Sequence, residues 1–163
     1  MSTRTDVRRL EEDLGELLAR SDREGPGDLD EYADDPVGFV REVVGDEPWS
    51  MQVEVAEAVR DHPQVSVRSC HAAGKDWLAA RLALWWAYAR RGLAVITGLT
   101  ATQVEEIVMR GEVRAAFRRS GLPGELHVRA LRPRGGAGEA GILAKTATGV
   151  SALTGFHDAR VLF

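Results

Sequence analysis

A single cysteine, Cys70, denies this chain an internal disulfide and any thiolate metal cluster. Its four histidines, His62, His71, His127 and His157, lack the spacing of a zinc site. Apolar runs are short as well. The best, Trp77 to Tyr88, is interrupted by Arg81 and falls well below membrane-spanning length. Arginines near the N-terminus are followed by charged residues rather than an apolar core, which argues against a signal peptide. No internal repeat is present. A reducing cytoplasm is the expected setting, with no membrane partner.

What remains is an ordinary composition with an uneven charge. The 163 residues are 44% hydrophobic and 28% charged, enough for one modest domain with an appendage. The net charge of −4 conceals two opposed halves. Met1 to His62 holds 7 basic and 18 acidic residues, whereas Pro63 to Phe163 holds 14 basic and 7 acidic. The basic half suits phosphate-bearing ligands, nucleotide or nucleic acid. Alternatively, the halves neutralise one another or face solvent.

Periodicity predicts the elements. Val7 to Ala19 reads as a charged amphipathic helix, and Ser21 to Asp35 as a linker rich in glycine and aspartate. Short helices are expected over Pro36–Val44 and Ser50–Arg60. Gln64 to Arg68 reads as a first strand. A helix from Lys75 to about Arg91, ended by Gly92, has apolar residues around much of its circumference, which suits burial by neighbouring layers. Leu93–Thr97 reads as a strand and Ala101–Ser120 as a third long helix. Glu125–Arg132 and Ala140–Thr146 alternate enough for a hairpin turning at Arg134 to Gly138. Val161–Phe163 has the composition of the start of a buried strand. This alternation predicts a three-layer α/β domain with its helices against a parallel sheet.

The chemistry concentrates in Ser69-Cys70-His71-Ala72-Ala73-Gly74-Lys75-Asp76. A turn of small residues lets backbone amides converge on phosphate oxygens. A lysine at the helix start neutralises their charge, and the helix N-terminus adds its own field. The pattern G-x-x-x-x-G-K-[ST] is met imperfectly. Ser69 stands where it wants glycine, and Asp76 where it wants a hydroxyl.

With Asp35-Pro36-Val37-Gly38-Phe39-Val40, Pro48-Trp49-Ser50-Met51-Gln52, Leu84-Trp85-Trp86, Thr97-Gly98-Leu99-Thr100-Ala101-Thr102-Gln103-Val104 and Gly155-Phe156-His157, the order of segments resembles the N-terminal ATPase portion of phage large terminase subunits. The resemblance runs from about Asp35 to the last residue. It implies an α/β P-loop NTPase of RecA/ASCE type with a mostly parallel sheet, C-terminally incomplete. The division would be residues 1–34 as acidic helix and linker, and 35–163 as the partial ATPase domain. The implied function is the ATP-binding portion of a phage or prophage DNA-packaging motor in the bacterial host cytoplasm. Double-stranded DNA, a terminase small subunit, a portal protein and a homo-oligomeric ring are the partners such a motor would have.

The resemblance implies roles residue by residue. Lys75 would hold the outer phosphates of ATP and stabilise charge during transfer; otherwise it is a surface lysine disfavoured at a helix N-terminus. Gly74, with Arg68, Ser69, Cys70, His71, Ala72 and Ala73, would form the phosphate cradle. Gln52 would contact adenine and Trp49 would cover the ring, against readings as an exposed helix residue and a core tryptophan. Asp76 would ligate Mg²⁺, or merely suit the first turn of a helix. Thr100 and Gln103 would sense phosphate or couple to DNA, although Thr100 also fits a plain N-cap.

The sequence departs from the family by absence. The acidic Walker B segment and the nuclease carboxylates are not found, so hydrolysis by this chain alone is not expected. Two other classes compete: a catalytically silent remnant serving as an interaction module, and a small nucleotide or phosphoryl kinase.

Overall fold

The structure, a computed structural model, describes residues 29–134, 140–146 and 161–163. The expected helix at Val7–Ala19, the Arg134–Gly138 turn apart from Arg134, and the Gly155-Phe156-His157 segment lie outside these residues.

A 3-10 turn at Leu29–Tyr32 leads into helix α1, which begins as Pro36–Gly38 and continues with π-type bonding over Phe39–Val44. Its start is written locally. Asp35 Oδ1 accepts the Gly38 amide at 2.8 Å, and Pro36 supplies a first-turn residue that needs no amide partner. Helix α2, Ser50–Asp61, opens after Pro48-Trp49, and Gln52 Oε1 accepts the Trp49 amide at 3.2 Å. Helix α3 is Lys75–Tyr88, and α4 runs as Thr102–Val113 and then Arg114–Ser120.

Five strands form one sheet: β1 Leu93–Gly98, β2 Gly124–Leu126, β3 Ala130–Pro133, β4 Gly141–Thr146 and β5 Val161–Leu162. Their spatial order is β2-β3-β4-β1-β5. β1 lies parallel to β4, Leu93 opposite Gly141, and parallel to β5, Ala94 opposite Val161. β3 runs antiparallel to both β2 and β4. The expected hairpin arm Glu125–Arg132 is therefore two strands. The chain turns back at His127-Val128-Arg129, where the His127 amide bonds Ala130 O at 2.7 Å.

Two expectations are corrected here. The sheet is mixed, with antiparallel pairing on the β2-β3-β4 side, rather than the mostly parallel sheet of a RecA/ASCE-type P-loop NTPase. Gln64–Arg68, expected as the strand that carries the phosphate loop, is irregular and exposed. β4 and β5 occupy the two edges of β1, and no ladder among the described residues includes 64–68.

α3 is the centre of the molecule. It packs on β1 and β4, with α4 and α1 against it. Leu82, Leu84 and Trp85 are fully buried beside Phe39, Met109 and Ile142, as a helix apolar all round requires. It ends at Tyr88, short of the expected Arg91. Arg90 leaves the helix to donate from Nε to Ala33 O at 2.8 Å, and Arg91 takes a left-handed backbone at φ 52°. Gly92 is needed for a different reason: a Cβ there would collide with the indole nitrogen of Trp86.

Candidate phosphate-binding loop

The loop before α3 folds back over the helix start. Ala72 and Gly74 take left-handed backbone, at φ 60° and 77°. Left-handed residues interleaved with ordinary ones bend successive amides toward one concave side, the geometry of an anion nest. Glycine adopts such a conformation freely, whereas for Ala72 it costs about 1 kcal/mol. Gly74 is also closely packed, since a Cβ there would lie 2.6 Å from Gln52 Nε2.

Lys75 Nζ spans the loop. It donates to Ser69 Oγ at 2.9 Å and to Cys70 O at 2.8 Å. Both acceptors are neutral, and no described carboxylate pairs with this ammonium. The side chain is exposed at the head of a helix of 14 residues, whose first amides have no partner within the helix. A cation and a row of free donors thus meet at one surface.

Other residues singled out by sequence have mixed placements. Gln52 is buried, with its oxygen committed to the Trp49 amide and its nitrogen facing Gly74; it joins α2 to the loop. Trp49 is 52% exposed, so the core-packing reading of this ring is set aside. Arg68, Cys70 and His71 are exposed, and Ala73 is half-buried. Asp76 is exposed in the first turn of α3. As a lone carboxylate it fits Mg²⁺ only in the manner of an ion whose remaining ligands come from phosphate oxygens and water. Among the described residues no group of three or more acidic, histidine or cysteine side chains is arranged to hold a metal. Thr100 and Gln103 form a separate cap at the start of α4, Thr100 Oγ1 accepting the Gln103 amide at 3.2 Å.

Sequence reasoning missed two features. The first is a buried ionic cluster around Arg81, whose side chain is 2% exposed. Its Nε donates to Asp46 Oδ2 at 2.9 Å, and its NH1 donates to Glu112 Oε2 at 2.7 Å and to Trp77 O at 3.2 Å. Arg119 pairs with the other oxygen of Asp46, and the Arg81 guanidinium lies 4.4 Å from the Trp77 ring centroid. Burial pulls the Arg81 pKa down, opposed by the Glu112 hydrogen bond. An arginine interrupting an apolar helix was its visible trace.

The second is a groove of about 850 Å³ running from Lys75 along α3. Leu78, Ala79, Leu82 and Trp86 continue one face of the helix as its floor, and Val65 and Val67 of the irregular segment form one wall. The sequence carried no sign of it.

Among the described residues no helix is long and apolar enough to cross a membrane. Membership of the large-terminase family, with the ATP-driven DNA-packaging function it implied, is corrected on two grounds. The strand on which that family's phosphate loop would sit is not formed, and the sheet is of mixed direction. The chain, moreover, matches no protein-family model, no curated protein and no solved structure.

Proposed function

We propose that the Ser69–Lys75 loop and the first turn of α3 bind the phosphate group of a small ligand. The observation that carries this reading is the Lys75 ammonium, held across the loop by two neutral oxygens and, among the described residues, by no acid. An incoming phosphate would replace Ser69 Oγ and Cys70 O as its acceptors, setting an anionic oxygen opposite the ammonium where neutral oxygens now stand. The amides of the α3 N-terminus would supply further donors, and the helix field favours the negative charge. ATP with Mg²⁺ is one ligand within this class, with Asp76 beside the phosphates as the carboxylate for the ion. The proposal is binding rather than turnover.

The test is calorimetric titration of the 163-residue chain with inorganic phosphate, and with ATP in the presence and absence of Mg²⁺. The expected result is binding that Lys75→Ala weakens at least tenfold, about 1.4 kcal/mol or more, as for a lost hydrogen bond to charge. Equal affinity in both proteins would overturn the reading. So would an absence of binding by a chain whose circular dichroism shows it folded.

A further inference from the structure

We propose that the ligand held at Lys75 carries an apolar body, and that this body lies in the groove along α3. The class of ligand is then a phosphate monoester of an extended aliphatic or aryl group. The inference rests on the phosphate reading of the loop and adds what the rest of the molecule must be.

The argument starts from helix geometry. Lys75, Leu78, Ala79, Leu82 and Trp86 follow one another at helical spacing, so they form one stripe on α3. That stripe descends from the phosphate loop for about 16 Å, at about 1.5 Å per residue. Val55 and Val59 of α2 line the groove, and Val65 and Val67 stand 38% and 44% exposed in its wall. A volume of about 850 Å³ lies in the range of pockets that enclose small molecules.

Charge fixes the direction of the ligand. Four further charged or titratable groups line the groove: Arg60, Asp61, His62 and Arg90. Arg60 is committed to Asp61 at 2.6 Å, and Arg90 to Asp34 at 2.7 Å. His62 makes no ion pair with a described carboxylate. Among the described residues, Lys75 is therefore the permanently charged cation of the groove with no acid paired to it, and it stands at the head of the apolar α3 stripe. A headgroup with one anionic centre fits there, its tail directed toward Trp86 and Phe163. Along the α3 stripe itself, a strongly polar body would lose water against Leu78, Leu82 and Val67 with no polar side chain of that stripe to replace it.

The experiment is a calorimetric series with inorganic phosphate and with butyl, hexyl and octyl phosphate, all below micelle formation. The inference expects affinity to rise about fourfold for each methylene buried. Val67→Glu, at an exposed position, is expected to weaken octyl phosphate at least tenfold while leaving inorganic phosphate unchanged. Lys75→Ala is expected to weaken both. Inorganic phosphate binding with no gain along the series would overturn the inference and leave the loop reading standing. A chain-length gain that ignores Lys75→Ala would overturn the loop reading, and the inference with it. Tighter binding of ATP than of octyl phosphate, unaffected by Val67→Glu, would place the ligand's body elsewhere and likewise overturn it.

Discussion

Two cations on the same helix, Arg81 and Lys75, stand less than two turns apart and live in opposite worlds. Arg81 is buried, with Asp46 and Glu112 as its acids and the Trp77 ring against its plane. Lys75 is exposed and, among the described residues, bonds a hydroxyl and a carbonyl. The difference separates structural from available charge. A cation whose counter-ions lie within the fold holds elements together, and one without them can exchange neutral partners for a ligand's oxygens at little conformational cost. Arginine suits the first task, since its planar fork serves several acceptors at once, and lysine the second.

The comparison breaks most severely if the buried member is removed. Arg81→Met keeps much of the volume but leaves Asp46 and Glu112 without their shared cation. The expected loss is about 3–5 kcal/mol, read from denaturant unfolding; a loss below about 1 kcal/mol would mean that packing alone holds α3. Gly92→Ala drives a methyl group into Trp86 and should cost about 1–3 kcal/mol, without altering phosphate affinity. Lys75→Ala sharpens the contrast, with stability unchanged within about 0.5 kcal/mol while phosphate binding falls. A large fall in its melting temperature would show that this lysine is structural after all.

The smallest effect concerns the surface. The Arg60 hydrogen bond holds the Asp61 carboxyl below its ordinary range. With the folded pKa depressed, the contribution is present above the unfolded pKa and disappears as pH falls through the folded one. Thermal melts from about pH 5 to about pH 2 should show a slightly shallower acid limb in Asp61→Asn. An identical limb would mean that the exposed pair is fully screened.

Local physics made a good part of the fold legible. The Asp35-Pro36 start, the Ser50 start of α2, the Lys75 start of α3 and the buried β1 all follow from capping residues or patterning within a few positions. Val65-Ser66-Val67 misled because alternation describes a strand and an extended wall equally well. Alternation does not supply a partner: both edges of β1 are taken by segments far along the chain, and 64–68 joins no ladder among the described residues. The mixed direction of the sheet escaped for a similar reason, as a three-residue turn at His127 splits one apparent strand into two. Lys75 could be read as the loop's cation, but its neutral neighbours and the groove beyond it could not. The Arg81 cluster joins residues 31 and 35 positions apart, beyond any periodic signal.

The opposed charges of the two halves are stitched together by Asp30–Arg91, Asp34–Arg90, Asp46–Arg81 and Asp46–Arg119. The exposed stretch around Pro63 to Ser69 lies between them in sequence. A protease cutting there would release two polyions of opposite sign whose contact surfaces are already complementary. Such fragments should find one another again quickly in dilute buffer and slowly in concentrated salt, making the chain a natural subject for complementation.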